Sequence, residues 1–186
     1  GNPGFTKQVI TSDAYSVRSV FAIDVDGDGD MDVLSGVYGS NTIAWYENDG
    51  GVGNPGFIEH IITTDAAFVN SVFAIDVDTD GDIDVLSASE RDNTIAWYEN
   101  DGNVANPGFT KYVITSDATG ASSVFAIDVD GDGDVDVLSA NSGDNTIAWY
   151  ENDGSVANPG FTARVITTDA TRARSVFAID VDGDGD

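Results

Sequence analysis

Short apolar runs alternate with polar, glycine-rich breaks along the whole chain, and the pattern returns every 52 residues. Within one turn of the pattern, four runs predict β-strands at 19–24, 32–35, 41–47 and 57–63, each rich in β-branched and aromatic residues. The first of them, Ser19-Val20-Phe21-Ala22-Ile23-Asp24, is apolar on both faces and is expected to lie between two layers. On the third, alternation sets Ile43 and Trp45 on one face and Ala44 and Tyr46 on the other. The breaks are turn signals: Asp-Gly pairs, Asn48-Asp49-Gly50, and Asn54-Pro55-Gly56. No stretch of ten residues carries a helical period, so the chain reads as all-β.

The period is uninterrupted. Phe5, Phe57, Phe109 and Phe161 each follow a Pro-Gly pair, and Asp24, Asp76, Asp128 and Asp180 keep the same interval. The units are 5–56, 57–108, 109–160 and a partial fourth, 161–186, with residues 1–4 as the end of a preceding repeat. Four strands in about 50 residues match one blade of a β-propeller, and a blade cannot bury both faces alone. The expected architecture is therefore about three and a half tandem four-stranded antiparallel blades, part of a propeller or of an open repeat array. The sequence ends inside a motif, as expected of a window onto a longer chain or of an engineered fragment.

Charge narrows the chemistry. Seven Lys and Arg face 33 Asp and Glu, a formal net charge of −26, while 41% hydrophobic residues suffice for a packed core. Such a surface repels phosphate backbones and anionic membranes, so neither nucleic-acid binding nor membrane insertion is expected. The 186 residues hold no Cys, which excludes disulfides and thiolate metal sites. Of the acidic residues 28 are Asp and 5 are Glu, and Asp is the residue of tight loops and hard-cation sites.

Nineteen of those Asp residues sit in one motif, D-x-D-x-D-G-x-x-D, between the first and second strands. The copies are Asp24, Asp26, Asp28, Asp30 and Asp32; Asp76, Asp78, Asp80, Asp82 and Asp84; Asp128, Asp130, Asp132, Asp134 and Asp136; and a truncated Asp180, Asp182, Asp184 and Asp186. Carboxylates at positions 1, 3 and 5 converge when the chain wraps around a point. Glycine at position 6 permits the turn, as in the first half of an EF-hand loop. Position 4 is Gly27, Thr79, Gly131 and Gly183, whereas position 6 is glycine in all four copies, so only position 6 reads as a backbone requirement. Carboxylates roughly 4–6 Å apart repel by about 3–4 kcal/mol per close pair at an effective dielectric near 20. A hard dication with oxygen ligands removes that cost, and oxygen-only ligation favours Ca²⁺ over Zn²⁺ or Cu²⁺.

The segment Ser-Val-Phe-Ala-Ile-Asp-Val-Asp-Gly-Asp-Gly-Asp-x-Asp-Val-Leu-Ser, followed by Asn-Thr-Ile-Ala-Trp-Tyr-Glu-Asn-Asp-Gly, resembles the FG-GAP/VCBS repeat family, which is related to the integrin α-subunit propeller. The resemblance implies a β-propeller, secreted or on the cell surface, with Ca²⁺ held in the loop between the first two strands of a blade by the Asp residues named above. The Phe-Gly…Gly-Ala-Pro signature of the integrin-type repeat is absent, so the VCBS type is the closer likeness. The fourth loop lacks its position-9 Asp.

The functional expectation is an extracellular calcium-binding structural or adhesive repeat module, a segment of a larger assembly, with self-association or neighbouring repeats as partners. The alternative is a carbohydrate- or protein-binding propeller accessory to an extracellular enzyme, with glycans or surface proteins as partners. An enzyme is not expected, because no activated nucleophile, lone base or cofactor motif stands out. His60 is the single histidine, and its counterparts are Gln8, Tyr112 and Arg164. The units differ mainly in two connections, from the fourth strand to the first and from the second to the third. An up-and-down blade places both on one side, with Tyr15, Tyr38, Phe68 and Arg91 as candidate anchors there.

Overall fold

The computed structural model describes residue 4 and residues 6–53, 55–156 and 159–181. Twelve strands form three four-stranded antiparallel sheets. The first holds β1 (Val17–Ile23), β2 (Asp32–Val37), β3 (Thr42–Asn48) and β4 (Phe57–Thr63). The second holds β5 (Val69–Ile75), β6 (Asp84–Ser89), β7 (Thr94–Asn100) and β8 (Phe109–Thr115). The third holds β9 (Ala121–Ile127), β10 (Asp136–Asn141), β11 (Thr146–Asn152) and β12 (Phe161–Thr167). Strand order follows chain order in each sheet, so every connection is a hairpin or a short link to the next blade. Each blade takes three strands from one 52-residue unit and its outer strand from the next. The array is open, and among the described residues no helix is long and apolar enough to cross a membrane.

The blades stack through unlike faces. Leu34, Ile43 and Trp45 of the first blade pack against Val69, Val72, Ala74, Val85, Ala96 and Tyr98 of the second. The second presents Leu86, Ile95 and Trp97 to Ala121, Val124, Ala126, Val137, Ala148 and Tyr150 of the third. Bulky rings and branched chains on one face thus meet small residues and Tyr on the next, as the alternation along each strand requires.

The first strands converge on one another while the outer strands do not, which gives each blade its wedge. Phe21, Phe73, Phe125 and Phe177 form a ladder of tilted rings with centroids 4.9, 4.9 and 4.7 Å apart. Alongside it, backbone N–H groups of Val72, Val124 and Val176 donate to the hydroxyls of Ser19, Ser71 and Ser123 in the preceding blade, at 3.1, 3.3 and 3.3 Å.

The expected burial of the first strand on both faces holds for β5 and β9 and differs for β1. Val69 and Val72 are buried, yet their counterparts Val17 and Val20 are exposed. The face that packs on a preceding blade in β5 has only the unpaired segment around Lys7–Thr11 beside it in β1. Residues 173–180 form no strand either; in the other units this segment pairs with the second strand of its blade, and no such partner is among the described residues. The connections that vary between units do meet on one side: Tyr38 donates its N–H to the Ser16 carbonyl, and Glu90 to that of Phe68.

Candidate metal centre

The β1–β2 hairpin and its two counterparts carry the acidic motif. Asp24 organises its loop by accepting the N–H groups of Gly27 at 2.8 Å and Gly29 at 2.9 Å. Asp128 does the same for Gly131 and Gly133. These bonds require positive φ at both glycines. Position 6 takes φ of +97°, +102° and +98°, which a side chain seldom tolerates, while position 4 takes +75°, +62° and +77°. The second value belongs to Thr79, which occupies the left-handed well at a cost. Both glycine positions are therefore special, and position 6 is the stricter. Thr79→Gly should stabilise the fold by about 1 kcal/mol, read as a rise in the urea midpoint; an unchanged or lower midpoint would contradict the strain.

Position 9 is the anchor. Asp32 accepts the N–H of Val25 at 2.9 Å and of Asn48 at 2.8 Å, one on each oxygen. Asp84 holds Val77 at 3.0 Å and Asn100 at 2.8 Å, and Asp136 holds Val129 at 3.0 Å and Asn152 at 2.8 Å. All three are 1% exposed. Burial pushes Asp84 up to about 7 despite those N–H donors. Burial likewise raises Asp32 and Asp136, and it raises Asp26 and Asp78, whose neighbouring loop carboxylates add to the effect. Such groups resist ionisation unless positive charge arrives.

The structure gathers positions 1, 3 and 9: Asp24, Asp26 and Asp32; Asp76, Asp78 and Asp84; Asp128, Asp130 and Asp136. Each residue offers one oxygen, and the three oxygens lie within 4.8 Å of one another. Positions 5 and 7 stay outside these triads. Asp28, Asp80 and Asp132 each accept the N–H of the residue two further on. Asp30, Asp82 and Asp134 turn toward Gly50, Gly102 and Gly154, where a Cβ would collide with their carboxylates. In the fourth copy Asp180 is described, while Asp182, Asp184 and Asp186 lie outside the described residues.

The donor set fits a hard dication: oxygen ligands only, drawn from three carboxylates per loop. One further observation supports this. In the second loop the amide of Thr79 makes no bond to Asp76, and Asp76 Oδ1 is buried with no hydrogen-bond partner. A buried carboxylate oxygen beside two more carboxylates is costly unless a cation completes it.

Sequence reading placed a turn at Asn48-Asp49-Gly50 but not its part in backing each loop. Asn48, Asn100 and Asn152 donate backbone N–H groups to the position-9 carboxylates. Asp49, Asp101 and Asp153 each close the following connection by accepting two glycine or near-glycine amides, for example Gly51 and Gly56 on Asp49. Those amides hold Asp101 and Asp153 below the usual carboxylate range. The signal was the invariance of Asn-Asp-Gly between units, which by itself reads as a turn.

The remaining candidates, Tyr15 apart, pack against neighbouring rings or blades. His60 stacks on Trp45 with centroids 4.5 Å apart, and its Nε2 lies 2.7 Å from Glu47 Oε2. Tyr112 stacks on Trp97, and Arg164 covers Trp149 while pairing with Glu151. On the varied side, Tyr38 and Phe68 stack at 4.6 Å, with Arg18 over Tyr38 and Arg91 over Phe68, so these side chains bridge the first two blades; Tyr15 is 83% exposed.

Fold and site together define a tandem β-blade module with an acidic loop in each blade that could hold a metal ion. The model of the FG-GAP-like repeat matches the chain three times in succession, at residues 24–87, 76–139 and 128–186. The chain belongs to the FG-GAP-like repeat family. Each match opens on the position-1 Asp of one loop, and the first two run through the next loop into the strand beyond it. No curated protein matches the chain in sequence.

Proposed function

We propose that the chain is a calcium-binding structural repeat module of an extracellular protein, working in adhesion or assembly as a stiff stack of blades. The observation that carries this reading is the carboxylate triad, repeated in all three complete loops around a buried position-9 Asp with the same backbone N–H scaffold. Asp24, Asp26 and Asp32 and their counterparts would hold the ion. The ion would supply positive charge among these clustered carboxylates.

Extracellular calcium is high enough to fill loops of modest affinity, on the order of 10⁻⁴ to 10⁻³ M, and cytosolic calcium is not. The stacked faces support an assembly role. Val17 and Val20 stand exposed on the face whose equivalents are buried at the next junction, so further blades of the same kind are the natural partners. The same packing weakens the alternative of a sugar-binding platform: Trp45, Trp97, Tyr46, Tyr98 and Tyr150 are all buried between or within blades. Neither reading assigns the chain a reaction.

Calorimetric titration of the metal-stripped protein tests the proposal. Three calcium ions should bind the three complete loops, with little competition from equimolar Mg²⁺, which demands a tighter octahedron. No binding at millimolar calcium would end it.

A further inference from the structure

We propose that Asn100 and Asn152 are positioning residues that couple neighbouring metal loops, so that filling one loop raises the calcium affinity of the loop in the preceding blade. The inference rests on the calcium reading above and goes beyond it.

Asn100 is 3% exposed and uses every polar group. Its backbone N–H donates to Asp84 Oδ1 of its own blade at 2.8 Å, and its Oδ1 accepts the Gly102 N–H. Its Nδ2 donates to the Ile83 carbonyl at 3.1 Å and crosses to the Val25 carbonyl of the preceding blade at 3.2 Å. The N–H of Val25, in turn, is held by Asp32 Oδ2, the position-9 carboxylate of that preceding loop.

The path from triad to triad is therefore a chain of hydrogen bonds: Asp84 to Asn100, Asn100 to Val25, Val25 to Asp32. It repeats one blade later, where Asn152 donates to Asp136 through its backbone and to the Val77 carbonyl through Nδ2 at 3.4 Å, and Val77 donates to Asp84. Asn48 supplies a built-in control. It makes the same contacts within its own blade, to Asp32, Met31 and Gly50, and among the described residues no bond to another blade.

The coupling has a direct physical basis. An ion in the second loop would fix the position of the Asp84 carboxylate and with it the Asn100 backbone N–H that it accepts. That would hold the carboxamide on the Val25 carbonyl, and the Val25 N–H so placed would hold the Asp32 carboxylate in position for an ion of its own. Loss of the carboxamide breaks the path at one point while leaving every carboxylate in place.

The position-6 glycine amides report each loop separately, because Gly29, Gly81 and Gly133 donate to Asp24, Asp76 and Asp128. Following these three amides by NMR during a calcium titration of the full chain gives a midpoint per loop. Asn100→Ala should raise the midpoint at Gly29 at least about fivefold, the low end of ordinary coupling between sites, as well as that at Gly81. Asn152→Ala should move Gly81 and Gly133 most, with a smaller relayed shift at Gly29, and Asn48→Ala should move Gly29 most, with a smaller reciprocal shift at Gly81. This staggered pattern is what a general loss of stability would not produce. If Asn100→Ala fails to fold, Asp78→Asn in the otherwise unchanged chain should still raise the Gly29 midpoint. A Gly29 midpoint that ignores changes in the second blade overturns the coupling while the calcium reading stands. No shift at any of the three glycines up to about 10 mM calcium, an order above the weakest affinity expected of such loops, overturns the calcium reading itself and the coupling with it.

Discussion

Removing calcium should lower the melting temperature by about 10–30 °C, the largest change any condition is expected to produce in this protein. Three loops with affinities on the order of 10⁻⁴ to 10⁻³ M, saturated at about 10 mM, stabilise the folded chain by about 4–8 kcal/mol in total through mass action. A chain of this size moves by about 2–4 °C per kcal/mol.

The acid side of the same experiment has a definite sign. Asp84 carries a pKa of about 7 in the folded chain, against 3.8 ordinarily. The folded state then binds the proton more tightly than the unfolded state between those values, so metal-free stability falls as pH rises through that window. For Asp84 alone the loss approaches 4 kcal/mol. Asp26, Asp32, Asp78 and Asp136 are raised as well and contribute in the same direction.

If the triads bind calcium as proposed, calcium should offset the trend, because protons compete with it for the same carboxylates. Melting temperatures of resin-stripped protein at several pH values between 4 and 7, with and without calcium, should therefore lie close together near pH 4 and diverge as pH rises. A metal-free melting temperature that rises with pH would show that Asp84 and its counterparts are not buried as described. Salt separates this account from adaptation to a saline habitat. At 1 M the screening length is about 3 Å, enough to relieve part of the repulsion between exposed loop carboxylates, yet too little to replace an ion among buried ones. Full rescue by sodium chloride alone would favour the saline explanation.

Much of this was legible in the residues, for physical reasons that also mark where legibility ended. The strand at 57–63 appears where the alternation of Phe57-Ile58-Glu59-His60-Ile61-Ile62-Thr63 put it, because a half-exposed outer strand writes its period plainly. The opposite faces of Trp45 and Tyr46 follow from the same two-residue period. The exposure of Val17 and Val20 was not legible, since an apolar residue does not state whether a neighbouring blade covers it.

The metal loop shows the limit most clearly. Asp stands at every second position from 24 to 32, and the spacing set positions 1, 3 and 5 to converge, whereas the structure gathers positions 1, 3 and 9. What separates them is backbone geometry. The glycine turns fold Asp24 and Asp26 back over the loop, and the hairpin buries Asp32 beneath them. Asp28 and Asp30 are left to a local amide and to the neighbouring turn. The bridging role of Asn100 was hidden for a related reason: its second partner, Val25, is 75 residues away, and only the stacking of blades brings them together.

The second large effect is expected at Trp97. Its indole is 1% exposed, lies under Tyr112 and fills the junction between the second and third blades against Val124, Val137 and Tyr150. Trp97→Ala should cost about 3–5 kcal/mol, since the surrounding strands are hydrogen-bonded in register and cannot collapse into the space. Trp149 occupies the equivalent place in the third blade but is only half-buried, because the segment beyond it forms no complete blade. Trp149→Ala should therefore cost roughly half as much, as the transfer contribution scales with area removed from water. In a stacked array, stability is the sum of blade and junction contributions, so weakening one junction also lowers cooperativity. Urea unfolding of Trp97→Ala at saturating calcium should separate into two steps, with Trp45 fluorescence reporting the first two blades and the third blade melting earlier. Equal costs for the two Trp substitutions, or a single sharp transition in both, would mean that each blade holds itself together and that the junctions contribute little.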